Sequence, residues 1–157
     1  MSSKNTALQL WQRLSGKPGG KWLFSRLICW KAPYFATIRP HFEHLEFGHC
    51  ELTIPKRRAV HNHISTVHAI AMCNMAELAG GTMTEISTPP THRWIPKGMT
   101  VEYLKKAETD LRAVATFKSP PEFGAAMGVP VVVLVTDTLN QLVFRAEISM
   151  WISPKKS

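Results

Sequence analysis

The chain has 157 residues, one domain's worth, with 19 Lys and Arg against 11 Asp and Glu, a formal charge of +8. Apolar residues make up 45% and charged residues 19%, a globular balance that excludes collagen, a coiled coil and a disordered tail. The longest nearly pure apolar run, Val129 to Val135 broken by Pro130, is far below the ~20 residues of a membrane span, and the start from Met1 to Asn5, which leads into a mixed polar segment, does not read as a signal peptide.

Three cysteines, Cys29, Cys50 and Cys73, are an odd number without a Cys-x-x-Cys pair. That pattern points to reduced thiols and a cytoplasmic setting. The basic residues are dispersed; the densest clusters are Lys56-Arg57-Arg58, Lys105-Lys106 and Lys155-Lys156. Without a longer basic run, zinc-finger spacing or an aromatic RNP-like box, nucleic acid is not the expected partner. The charge reads as a solvated surface or as a patch for a phosphate-bearing small molecule.

In chain order, Asn5 to Ser15 reads as a short helix with Leu8, Trp11 and Leu14 at threes, a cap at Asn5 or Thr6 and a stop at Gly16. After the breaker Pro18-Gly19-Gly20, Trp22, Leu23, Leu27 and Trp30 again fall at helical spacing, with Trp22 and Trp30 read as core or lid. Pro33 and Pro40 punctuate an irregular stretch, so the first 40 residues form an N-terminal helical extension. From Phe42 to Ile54 the period becomes two, read as one long strand bulged at Gly48. Ser65 or Thr66 caps an Ala-rich helix from Val67 to about Gly80, with Ala69, Met72, Ala76 and Ala79 on one face and Gly80-Gly81 as its end. Strands are expected at 82–88, 99–103, 111–117, 129–136 and 141–152, with a tight turn at 137–140. One long helix and six strands with short loops predict an α+β domain over 1–157, a six-stranded antiparallel sheet on one central helix.

The segment from Val60 to Gly81 places Asn62 six residues before His68, and His68 nine residues before Glu77. This spacing resembles the central-helix motif of the hotdog-fold thioesterases, the phenylacetyl-CoA thioesterase-like group. Pro33 to Pro40 and Arg93 to Tyr103 resemble an uncharacterised branch of that superfamily. The resemblance implies a hotdog fold and hydrolysis of an acyl-CoA or related thioester without a cofactor. It also implies a homodimer, or a dimer of dimers, with the site between subunits. The family's Gly-Gly after the His is Ala69-Ile70 here, and their Cβ atoms narrow the approach to the backbone.

The residues carry their own chemical logic. N–H groups at a helix start stabilise the oxyanion of an attacked thioester, and Val67 to Ile70 would supply them. Glu77 is the only acid between Thr66 and Met83, on a stripe with Ile70, Cys73 and Gly80. It is either a poised base or a satisfied structural carboxylate. Asn62 offers an amide to a carbonyl or holds a turn; His68 polarises substrate or packs. Nine helical residues separate His68 from Glu77 by ~13 Å along the axis, so the two share a substrate only if a second copy brings its helix alongside. Ala69, Ile70 and Cys73 would line the acyl group, although Cys73 also reads as a buried inert thiol. Lys97, Lys105, Lys106 or Lys118 would meet the coenzyme A phosphates. Seven histidines include no compact ligand set, so no metal is expected. A non-catalytic acyl-ligand binder is a second reading. A dehydratase, using the fourteen-residue His63 to Glu77 spacing, is a third.

Overall fold

Residues 5–156 are described in a computed structural model of the chain. The elements are α1 (Thr6–Leu14), α2 (Gly20–Lys31), a 3-10 turn (Pro33–Ile38), β1 (His41–Glu46), β2 (His49–Ile54), a second 3-10 turn (Arg58–Val60), α3 (Ala69–Ser87), β3 (His92–Tyr103), β4 (Leu111–Phe117), β5 (Met127–Thr136) and β6 (Leu142–Pro154). The strands form one sheet in the order β1-β2-β4-β5-β6-β3, and every neighbouring pair is antiparallel.

Alternation sets which sheet face is buried. Val129, Val131, Val133 and Val135 of β5 and Phe144, Ala146, Ile148, Met150 and Ile152 of β6 are all buried. Against them lies α3, whose Met75, Ala76, Ala79 and Met83 are fully enclosed. Small side chains hold helix and sheet close. A Cβ on Gly80 would sit 2.9 Å from Ile148 Cδ1 and 3.2 Å from Val131 Cγ1, so a larger residue there must push these side chains aside.

Three sequence expectations are corrected. The helix does not end at Gly80-Gly81, and 82–88 is not a strand: α3 continues to Ser87. Two interior glycines cost about 1 kcal/mol each against Ala, but burial of Met83 and Ile86 offsets this. The Thr84 and Thr88 hydroxyls donate to carbonyls four residues back, at 2.7 Å each, which suits these β-branched residues to the helix. The second correction is at Gly48. It is not a bulge but part of the turn of a hairpin, with φ of 70° and Glu46 paired to His49 across it. The sheet thus keeps six strands by gaining β1 and losing 82–88. The third concerns α2. Its packed face is Phe24, Ser25 and Cys29, while Trp22 is 59% and Trp30 83% exposed. Edge-to-face stacking of Trp11 on Phe24 and of Phe24 on Phe42, both at 5.1 Å, ties α1 to α2 and α2 to β1.

β3 is an edge strand, paired only with β6. Its Met99, Val101 and Tyr103 stand opposite Ile148, Ala146 and Phe144, hence on the helix side of the sheet. This places them beside the outer stripe of α3. No helix among the described residues is long and apolar enough to cross a membrane.

Candidate functional site

The loop before α3 is built around Asn62. Its Oδ1 accepts from the Ile64 and Thr66 N–H groups at 3.1 Å, and its Nδ2 donates to Thr66 Oγ1 at 2.8 Å. The Asn62 N–H donates to the Thr66 carbonyl at 2.9 Å, and Ser65 closes the loop in the left-handed region, φ 61°. Asn62 therefore shapes the turn, and one of its two amide hydrogens has no partner among the described residues.

His68 is the N-cap of α3. Its Nδ1 accepts from the Ile70 N–H at 3.0 Å, so the neutral ring carries its proton on Nε2; the side chain is exposed. The hydrogen bonds at this helix start correct the expectation that Val67 to Ile70 together offer oxyanion donors. Val67 N–H donates to the Ala107 carbonyl at 2.8 Å and His68 N–H to the Val60 carbonyl at 2.7 Å. Ile70 N–H is held by the His68 ring. Only the Ala69 N–H has no partner among the described residues.

Nine residues further on, Glu77 stands differently. From Met75 to Ser87 only Glu77 and Glu85 are exposed. Glu85 accepts from Trp94 Nε1 at 2.6 Å, whereas Glu77 makes no ion pair or side-chain hydrogen bond among the described residues. It is at the rim of an open cleft of about 690 Å³. The stripe read from sequence is open at Ile70, Cys73 and Glu77 and closed at Gly80. Cys73 is half-buried, not enclosed, with Sγ 3.5 Å from Tyr103 Oη. That hydrogen bond, then partial burial, then the neighbouring thiol's charge push the Tyr103 hydroxyl above its ordinary pKa. Ile70, Met99 and Tyr103 extend the same face as exposed apolar surface.

Residues 20–152 match the family described as a domain of unknown function, DUF4442. The chain belongs to this family. The solved structure of the genomics protein APC5556 is 48% identical to it, covering 97% of this chain and 99% of that one, at a TM-score of 0.81. A thioesterase family protein from Silicibacter pomeroyi has a TM-score of 0.71 at 16% identity, over 83% of this chain and 96% of its own. The smu.793 protein from Streptococcus mutans, solved bound to acetyl CoA, has a TM-score of 0.63 at 18% identity, over 74% and 90%. No curated protein matches the sequence. The fold of this DUF4442 chain is the hotdog fold of thioesterase-family structures.

The lysines of the DUF4442 chain divide by location. Lys106 adjoins Ala107, the acceptor of the Val67 N–H, so it flanks the helix start; Lys105 beside it donates to Gln141 Oε1 at 2.9 Å. Lys97 lies 3.9 Å over the Trp151 ring, and Lys118 pairs with Glu147 at 3.1 Å, both away from that start. His63 is exposed in the Asn62 loop. The upstream histidines face carboxylates two residues on: His41 with Glu43, His44 with Glu46, and His49 with Glu51 at 2.9 Å. Sequence reasoning missed the cleft entirely. Its walls come from α1, α2, the first 3-10 turn, α3 and β3, and no motif links segments so far apart in the chain.

Proposed function

We propose that the protein hydrolyses acyl thioesters, acyl-CoA being the class in view, at a site that two copies complete. The observation that carries this reading is Glu77: an exposed carboxylate with no partner among the described residues, with buried residues on either side of it in the helix, lining a cleft. A structural carboxylate would be engaged, as Glu85 is by Trp94.

In the proposed reaction Glu77 takes a proton from a water molecule, and the water oxygen attacks the thioester carbonyl carbon. The developing oxyanion meets the Ala69 N–H and the remaining Asn62 amide hydrogen of the partner copy, with His68 Nε2–H as a further donor. The C–S bond then breaks and the proton passes from Glu77 to the departing sulfur. A carboxylic acid and a free thiol result. Lys105 and Lys106, beside that helix start, would meet the phosphates of coenzyme A.

Two observations support the second copy. The ~13 Å between His68 and Glu77 along one helix is too long for one substrate carbonyl. The open face of Ile70, Cys73, Met99 and Tyr103 adjoins the unpaired edge of β3, and long unpaired edges and apolar patches of this kind mark association surfaces. A non-catalytic acyl binder is the second reading. It is favoured by the engaged N–H groups of Val67, His68 and Ile70. Incubation with a panel of acyl-CoAs separates the two: thiol release that Glu77→Gln abolishes supports hydrolysis, and saturable binding without release supports the binder.

A further inference from the structure

The outer side of α2 is apolar and uncovered. At 3.6 residues per turn, Trp22, Leu23, Arg26, Leu27 and Trp30 fall within about 140° of the helix circumference, opposite the buried Phe24, Ser25 and Cys29. Trp22, Leu23 and Trp30 are exposed, and so is Tyr34 just past the helix end. The Trp94 indole N–H is held by Glu85, but those of Trp22 and Trp30 have no partner among the described residues. The inner side fixes the helix in place: the Phe24 ring packs on both Trp11 and Phe42, and Ser25 Oγ accepts from the Phe42 N–H at 2.9 Å. A helix apolar on both sides is one that is covered on both, and clustered exposed apolar side chains mark an association surface.

Charge decides what covers it. From Asn5 to Phe42 the sequence holds six cations, Arg13, Lys17, Lys21, Arg26, Lys31 and Arg39, and no Asp or Glu. Lys21 pairs with Glu43 at 3.6 Å and Arg26 donates to the Pro40 carbonyl at 3.0 Å. The other four are exposed and have no partner among the described residues. Lys17 stands just before α2 and Lys31 ends it, so free cations bracket the apolar stripe. A second copy seated face to face here would set these cations against their own counterparts. A nucleic acid would use the cations and the rings but leave Leu23 and Leu27 without bases to stack on. An anionic lipid surface meets every group: lipid phosphates face the cations, the acyl boundary takes the leucines, and the indoles lie at headgroup level, where their N–H groups find acceptors. The 12 residues of α2 fall short of the ~20 of a membrane span, so the helix lies on the surface and does not cross it.

We infer that the outer face of α2 docks the protein on an anionic membrane surface, with Trp22 and Trp30 as anchors and Lys17 and Lys31 as phosphate contacts. The inference does not depend on the hydrolase reading.

The test uses the full chain and sedimentation with sucrose-loaded vesicles, either of equal parts phosphatidylcholine and phosphatidylglycerol or of phosphatidylcholine alone. Wild type should pellet with the anionic vesicles and far less with the neutral ones, and its tryptophan emission should shift to the blue on binding. Trp22→Ala/Trp30→Ala should weaken that partition roughly 10-fold or more and lose most of the blue shift. A basic side chain near such a surface strengthens binding roughly 5-fold, so Lys17→Gln/Lys31→Gln should cost roughly 20–30-fold. Wild type that ignores anionic vesicles overturns the assignment. So does binding that the lysine variant weakens and the tryptophan variant leaves intact, because general attraction to a basic protein explains it. Two further results count against it when vesicles are not bound: a dimer in sedimentation equilibrium that Trp22→Ala/Trp30→Ala dissolves gives the face to a second copy, and a gel shift of single-stranded RNA that the same variant abolishes gives it to nucleic acid. Should the tryptophan variant fail to melt cooperatively, Leu23→Glu, at an exposed position of the same stripe, must weaken the partition or the assignment fails.

Discussion

The start of α3 and its middle treat polar groups in opposite ways. At the start, Asn62, the His68 ring and the N–H groups of Val67, His68 and Ile70 are nearly all engaged within the protein. In the middle, Glu77 is engaged by nothing among the described residues, while its neighbours in the chain, Ala76 and Leu78, are buried. Hydrogen bonding already satisfied within the protein suits a scaffold, whereas a carboxylate left open beside a cleft is available to a ligand. Under the proposed reaction the residues of the motif would do different work: Asn62 and His68 hold the geometry and lend one hydrogen each, and Glu77 is the group that reacts.

The largest expected effect follows from that division. Glu77→Gln removes the base while keeping size and helix. Thioester turnover should fall roughly 10²–10⁴-fold, while the melting midpoint moves within the ~0.5 kcal/mol typical of a surface change. Unchanged turnover removes Glu77 from the mechanism. A large loss of stability would show that it is held by a partner after all.

Asn62→Ala tests the other side. It deletes an acceptor for two N–H groups and a donor to Thr66, so it should cost about 1–3 kcal/mol of stability, read by urea unfolding. Turnover measured well below the melting range should fall less than in Glu77→Gln. A collapse of turnover with stability intact would break the contrast by showing that the unpartnered amide hydrogen of Asn62 acts on substrate. His68→Ala is the milder version. It removes an N-cap acceptor, worth about 1 kcal/mol, and frees the Ile70 N–H. His68→Asn should restore most of that stability, because asparagine caps through its own oxygen.

Much of the frame was legible in the residues. Val129 to Thr136 and Leu142 to Ile152 alternate or run apolar as strands of a buried sheet must, and the Asn62, His68, Glu77 spacing marked a loop, a helix start and a carboxylate, although the cap is His68 and not the expected Ser65 or Thr66. The rest was not legible, for three physical reasons. Local preference was overruled by tertiary packing at Thr82 to Thr88, where burial of Met83 and Ile86 carries a helix through two glycines. Hydrophobic spacing on α2 was satisfied by two faces, and Trp22 and Trp30 were on the one left in solvent. Hydrogen-bond saturation at the helix start depends on Val60 and Ala107, one before the helix and one far beyond it, and no pattern near His68 predicts such partners.

The smallest effect comes from the carboxylate that shows what a structural role looks like. Glu51 on β2 faces His49 at 2.9 Å and Arg112 of the neighbouring β4. Partial burial pushes its carboxyl up, but the hydrogen bonds of Arg112 and His49 and their charges outweigh this, so it titrates below the ordinary range. A depressed folded pKa contributes stability that is present above the unfolded value, about 4.3, and is lost as pH falls through the folded one. Arg112→Ala should cost less than about 1 kcal/mol near neutrality, because the guanidinium is largely exposed. The gap between variant and wild type should close as acid protonates Glu51 in both. Urea midpoints from neutral pH to below 4 check this. A gap that persists in acid would assign the loss to the packing of the Arg112 side chain instead.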